Sequence, residues 1–298
     1  MATSESTPAA NIAKQIRALG AIFDPDVLTA TRAIYRPQLD SSQSAEERVD
    51  VAYGSHERHR LDVYRPAGTP LAIVVFVHGG GFVAGDKNGD GVFYGNVGRW
   101  LARQGYTAVL PNYRLAPANV WPAGAADLQA ALNWVQQNQE TLGAGSLPIV
   151  VWGQSAGASH VASWLFDDAA RGGQAIDLAA VMLLSGFYSA EAPLPAGPRA
   201  YFGDDPLRYA ERSPLSHVRP TKQPLWLGVA ELDPGWIAQQ TYALARAVTL
   251  ANGRSPDFHF FRGHNHVSTV QSLGSPQQDS ADELQRFLQA VLGDLAGC

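Results

Sequence analysis

Cysteine is almost absent from this chain: there is one in 298 residues, and it is the last, Cys298. A lone thiol closes no internal disulfide, and such scarcity fits a reducing compartment. Charge is sparse as well. Charged residues make up 16% of the chain, and 22 Lys and Arg against 27 Asp and Glu leave a net charge of -5. With no basic run, that balance excludes a nucleic-acid or anionic-membrane surface. No apolar stretch is long enough to span a bilayer, and the opening MATSESTPAANIAKQIRALG has no apolar signal core. The absences predict a soluble, cytoplasmic protein without nucleic-acid or membrane partners. They leave its oligomeric state open, a homodimer included. No internal repeat and no Pro-, Gly- or Ser-rich linker divides the chain.

What the chain has is ordinary globular material: 46% hydrophobic residues, with 29 Gly and 19 Pro marking many turns. Its length suits one α/β domain able to bury most of its apolar surface. Residues 1–10 are small and polar, which predicts disorder. A helical segment is predicted over Ile12–Tyr35, broken at Pro25 and stopped near Pro37. Val49 and Val51, then Leu61 and Val63, alternate with polar residues and predict a half-buried hairpin at a sheet edge. Short continuous apolar runs follow at 71–77, 107–110, 148–152, 179–184 and 224–229. Strands buried on both faces read this way, because helices cover both sides of a parallel sheet.

Helical stripes lie between the runs. They are Phe93, Val97, Trp100 and Leu101; Leu128, Ala131, Leu132 and Val135; Ile237, Leu244 and Val248; and Leu284, Phe287, Leu288 and Val291. Ser280 followed by Glu283 predicts a capping box at the start of the last helix. The alternation predicts an open, mostly parallel α/β sheet. Residues 1–47 form an N-terminal segment, partly disordered and then a helical cap. Residues 48–298 form the main domain, with a Pro-rich insertion at 186–222 lying over the strand ends.

Chemistry is written most strongly in IVVWGQSAGAS (149–159). An apolar strand enters Gly153-Gln154-Ser155-Ala156-Gly157 and continues into a helix, the context that a nucleophile elbow requires. The bland alternative is a serine capping a helix after a glycine turn. Upstream, a second buried strand ends in His78-Gly79-Gly80-Gly81-Phe82. Consecutive glycines leave backbone N–H groups uncovered, as an oxyanion hole needs. A phosphate cradle would need a G-K-[ST] or G-x-G-x-x-G pattern, and neither is there.

A serine nucleophile needs a base, and the base an orienting acid, following in the order acid then histidine. Asp233 comes just after the apolar run 224–229, although an N-cap role for the next helix would also suit it. Glu231, Asp257 and Asp205 are its competitors. Of the later histidines, His160 lies inside the helix after the serine, His217 in the insertion and His259 in a predicted strand. His264 and His266 occupy the loop where the base belongs. Two histidines two apart could also clamp a metal, but no H-E-x-x-H or carboxylate cluster supplies a third ligand. No cofactor is required. Spacing does not separate the pair, since they lie 31 and 33 residues beyond Asp233.

With LDVYRP, VFVHGGGFVAGDK, NYRLAP, WPAGAADLQAALNWV, GQSAGASHVA, SPLSHV, GVAELDP and GHNHVS in order over about residues 48–270, the chain resembles the α/β-hydrolase superfamily. It is most similar to the hormone-sensitive-lipase-like and bacterial carboxylesterase branch, with feruloyl-esterase and formamidase likeness. Gln154 stands where the lipase-like members usually carry Asp.

The resemblance implies an eight-stranded α/β-hydrolase sheet with Ser155 as nucleophile and Asp233 as acid. It also implies backbone oxyanion donors at Gly80, Gly81 and Ala156. The form His-apolar-polar favours His266 over His264 as the base. The implied activity is serine carboxylesterase action on small-molecule esters, with an arylformamidase or amidase using the same triad as the alternative. A non-catalytic small-molecule receptor is the reading from outside enzymes. Phe82, Phe187, Tyr188 and Trp236, with Tyr201 and Phe202, are candidates to line the substrate pocket or to be ordinary core aromatics. A histidine base predicts a rate that rises through about pH 6–7.

Overall fold

The computed structural model describes residues 7–39, 46–143 and 145–296. Helices α1 (Pro8–Ala18) and α2 (Pro25–Tyr35) come first, each begun by a proline behind a side-chain cap, Thr7 and Asp24. Pro8 to Ala10 are therefore helical; residues 1–6 of the predicted disordered stretch lie outside the described residues. The strands are β1 (Glu46–Ala52), β2 (Arg60–Arg65), β3 (Ile73–Val77), β4 (Thr107–Pro111), β5 (Ile149–Gln154), β6 (Ala180–Leu184), β7 (Leu225–Leu232) and β8 (Asp257–Asn265). Between and after them run α3 (Gly95–Arg103), α4 (Ala123–Gln137), α5 (Gln139–Leu142), α6 (Ala156–Phe166), α7 (Asp168–Arg171), α8 (Ala196–Phe202), α9 (Tyr209–Arg212), α10 (Gly235–Asn252), α11 (Ser268–Gln271) and α12 (Asp279–Ala296).

The strands form one eight-stranded sheet in the order β1-β2-β4-β3-β5-β6-β7-β8. The pairs β1–β2 and β2–β4 are antiparallel and all others parallel. Alternate residues of the central strands feed two cores. Val75, Val109 and Val151 pack with Leu132, Val161 and Leu244 on one face. Val74, Phe76 and Trp152 pack with Trp100, Leu101, Leu284 and Phe287 on the other. Both faces are covered, which is why these strands read as unbroken apolar runs.

Two local expectations are corrected. The β1 alternation is interrupted by a register shift between Arg48 and Val51, with Asp50 at φ 55°, so Val49 is exposed instead of sharing a face with Val51. Ser280 is not the cap of the last helix, which starts at Asp279. Its hydroxyl faces His264, and Glu283 accepts from the Trp226 indole N–H at 3.0 Å.

Candidate active site

The path of the chain at the end of β5 is set by two close approaches. A Cβ on Gly153 would lie 2.6 Å from the Ala158 backbone, and one on Gly157 would lie 2.1 Å from the Val77 carbonyl oxygen. Only glycine lets strand and helix turn this tightly. Ser155 absorbs the turn at φ 55°, ψ -124°, a strained conformation for a residue with a side chain. α6 starts at the next residue, so the Ala156 N–H is one of the helix-end amides with no intrahelical acceptor.

The structure brings Ser155, His266 and Asp233 together from three separate loops. His266 Nδ1 lies 2.6 Å from Asp233 Oδ1, and its Nε2 lies 2.8 Å from Ser155 Oγ. A carboxylate only accepts, so Nδ1 carries the proton and Nε2 faces the serine hydroxyl as an acceptor. Asp233 does not cap α10. Its Oδ2 accepts from the Ser185 hydroxyl at 2.6 Å and the Ala230 N–H at 2.9 Å, which fixes the carboxylate plane. Of the competing acids, Glu231 accepts from the Gly263 N–H and pairs with Arg17, and Asp205 caps a 3-10 turn.

His264 and His266 do not share partners. β8 ends at Asn265, so only His264 stays in the strand. Its Nε2 donates to Asp279 Oδ2 at 3.0 Å, and its Nδ1 faces Ser268 Oγ at 2.9 Å. Asn265 Nδ2 donates to Thr31 Oγ1, tying this loop to α2.

Two contacts had no sequence signal. Ser185 reaches Asp233 from the end of β6, with φ 48°. Phe23, between α1 and α2, lays its ring 4.4 Å from the His266 ring. Only the fold brings either residue near the loop after β8.

The glycine loop runs beside the elbow, and Gly79, Gly80 and Gly81 line the same cavity as Ser155. Asn112, buried at the end of β4, braces this loop. Its Oδ1 accepts from the Lys87 N–H at 2.7 Å and lies 2.9 Å from His78 Nε2; its Nδ2 donates to Asp86 Oδ2 at 2.7 Å. Tyr113 OH donates to the His78 carbonyl. Burial pushes the His78 imidazole down to about 4 and the Tyr94 phenol up to about 12. Burial works against the charge of Asp86, but hydrogen bonds from the Asn88 N–H and the Asn112 amide hold its carboxyl below the usual range.

The cavity, about 650 Å³, is walled by Phe23, Pro25, Leu28 and Arg32 from the N-terminal segment and by Phe93 and Tyr94. Pocket lining and core are the two readings open for Phe82, Phe187, Tyr188 and Trp236, and none of the four is among the residues lining this cavity. Phe82 and Phe187 belong to a buried aromatic cluster with Tyr201, Phe202 and Tyr209. Tyr188 is fully buried, and Trp236 is 41% exposed beside Phe187. The segment 186–222 uses its aromatics to pack on the glycine loop, with Phe82 stacked on Tyr201 at 4.8 Å.

His160, in α6 just behind the elbow, is also part of this packing. It is buried between Phe82, Tyr113 and Tyr201 with both ring nitrogens unpaired. Burial lowers its pKa from 6.5 to about 3, so the folded chain holds it neutral while the unfolded chain protonates it. Stability from this residue is full above the unfolded value and is lost as pH falls from about 6.5 toward 3. Between pH 7 and pH 5 the wild type should lose about 2 kcal/mol from this source, and His160→Leu should not. Urea titrations of both proteins at the two pH values check this.

The sheet order and the strand–elbow–helix geometry define an α/β-hydrolase fold. The model of the prolyl oligopeptidase family matches residues 122–295, more than half the chain, and the chain belongs to that family. A second model, BD-FAE, matches residues 61–166.

Among curated proteins, the chain is 34% identical over 110 residues to Esterase LipC of Mycobacterium tuberculosis (strain ATCC 25618 / H37Rv), covering 36% of this chain and 27% of that protein. It is 30% identical over 135 residues to Chlorogenic acid esterase of Aspergillus niger, covering 41% and 25%. Cholinesterase 1 of Branchiostoma lanceolatum is 36% identical over 116 residues, covering 34% and 30%. The chain thus spans less than a third of the length of each of these relatives. Esterase B from Lactobacillus rhamnosis superposes with a TM-score of 0.75 at 18% identity, covering 97% of this chain and 98% of that one. The Pyrobaculum calidifontis esterase does so at 0.70 and 23%, covering 96% and 98%. At these identities the likeness is one of fold.

Proposed function

We propose that the chain is a serine carboxylesterase that hydrolyses small carboxylic esters through an acyl-enzyme on Ser155. The observation that carries this reading is the hydrogen-bonded line from Ser155 through His266 to Asp233, at 2.8 and 2.6 Å. His266 Nε2 takes the hydroxyl proton as Ser155 Oγ attacks the ester carbonyl. The negative charge that develops on the carbonyl oxygen is met by the backbone N–H groups of Gly80, Gly81 and Ala156, fixed before reaction by the braced glycine loop and the start of α6. Asp233 holds the tautomer and stabilises the imidazolium. His266 then delivers the proton to the departing alkoxide, leaving the acyl group on Ser155. Water enters, gives its proton to His266 and attacks the acyl carbonyl. Ser155 leaves and regains its proton, and the acid departs.

The names of the curated relatives support ester hydrolysis as the reaction. The apolar walls from Phe23, Leu28, Phe93 and Tyr94 suit an acyl or aryl arm.

The test is covalent. A fluorophosphonate should label one serine, Ser155 by peptide mapping, and abolish hydrolysis of p-nitrophenyl esters in parallel with labelling. Hydrolysis surviving complete labelling, or a label elsewhere, would overturn the reading. An acyl-chain-length series, run with a feruloyl ester and an aryl formamide, separates esterase from formamidase: a formamide kcat/KM above every ester moves the assignment to C–N cleavage.

A further inference from the structure

The residue inside the elbow motif, Gln154, takes no part in the chemistry just described, yet from beside the nucleophile it touches both the His266 loop and the glycine loop. Its side chain is fully buried and precedes the nucleophile. Its Nε2 donates to the backbone carbonyl of His266 at 3.0 Å, a contact spanning 112 residues of chain. Its Oε1 lies against the glycine loop: a Cβ built on Gly79 would sit 2.4 Å from Oε1 and 3.0 Å from the Ser155 Cβ. A side chain at Gly79 would therefore crowd Gln154 and Ser155, which fill the space beside it. The same Oε1 has no hydrogen-bond partner. A buried acceptor left unpaired disfavours the folded state. What the amide offers in return is the bond from its other end to the residue that carries the base.

We propose that Gln154 is a positioning residue that locks the His266 loop to the nucleophile strand and so holds Nε2 in line with Ser155 Oγ. Asp233 and the Phe23 ring restrain the imidazole itself. Gln154 instead restrains the backbone from which the imidazole hangs, and does so from the strand that carries Ser155. The base and the nucleophile are thus referenced to one rigid element, and a shift of about 1 Å between them is enough to cost about a hundredfold in rate.

This inference rests on the Ser155–His266–Asp233 reading, and its test separates the two. In Gln154→Met, the side chain keeps its length and loses the N–H donor. The expected result is a kcat 10- to 100-fold lower, a KM within threefold of wild type, and a melting temperature close to wild type, because one unpaired atom replaces another. Gln154→Leu, which also fills the site without a donor, should show the same split. Rates are normalised to sites titrated to completion with a fluorophosphonate, so only folded protein counts. The initial rate of that labelling should fall with kcat.

The proposal is overturned if Q154M keeps kcat within twofold of wild type. It is also overturned if Q154L is as active as wild type, or if kcat falls only in step with KM and melting temperature. A wild-type-like Q154M beside a dead Ser155→Ala removes the positioning role alone; an active Ser155→Ala removes the underlying mechanism.

Discussion

Ser155→Ala is expected to lower kcat toward p-nitrophenyl esters by about 10⁴- to 10⁶-fold, while leaving the fold and the melting temperature nearly unchanged. The size follows from the chemistry. Without Oγ there is no covalent intermediate, and His266 has no hydroxyl to deprotonate. What survives is binding in the cavity and any oxyanion stabilisation of direct water attack. The stability expectation follows from the backbone. Ser155 is strained by the turn, and the turn is enforced by Gly153, Gly157 and the bond from the Ser155 N–H to the Leu184 carbonyl at 2.9 Å. Removing one oxygen disturbs none of these. Steady-state kinetics with a thermal melt of the same preparation tests both halves. A variant with more than about 1% of wild-type turnover would exclude Ser155 as the nucleophile.

The second large effect separates two neighbours in one loop. His266→Ala should abolish turnover on the scale of Ser155→Ala, since its Nε2 is the atom facing the serine hydroxyl. His264→Ala should leave the folded enzyme within about tenfold of wild-type kcat and instead lower stability by about 2–4 kcal/mol. The cost arises because His264 is fully buried, so its removal leaves a cavity and breaks the bonds that tie the loop to Asp279 and Ser268. Two numbers per variant, kcat at low temperature and the urea midpoint, should therefore move in opposite patterns. An inactive but stable His264→Ala would exchange the two roles.

His160, His264 and Gln154 are three buried polar side chains near the Ser155–His266–Asp233 cluster, and each is held differently. His160 is an aromatic-caged filler whose effect is felt through pH-dependent stability. His264 is a structural tie. Gln154 bonds the end of β5 to the backbone of His266. Burial does not distinguish them; the partners of their polar atoms do.

The sequence alone determined the strand–helix alternation, the elbow and the glycine loop, because each is a local pattern whose physics spans a few residues. A strand buried on both faces must be continuously apolar, and a tight strand-to-helix turn must have glycines at fixed offsets. The order of the acid and histidine segments and the preference for His266 came instead from the family resemblance, since spacing did not separate His264 from His266.

The cavity at Ser155 was not legible. Its walls come from Phe23, Pro25, Leu28 and Arg32 near one end of the chain and from Phe93 and Tyr94, segments that meet only when α1 packs on β8 and Ile12, Ile16 and Tyr35 close on Phe93. The aromatics next to the motifs in sequence, Phe82, Phe187 and Tyr188, turn inward instead to bury the segment 186–222. The Ser185 support of Asp233 and the Gln154 link to His266 likewise join residues 48 and 112 positions apart. Adjacency along the chain fixes backbone geometry, whereas a cavity and the braces around it are made by contacts between distant segments, and only the tertiary structure decides those.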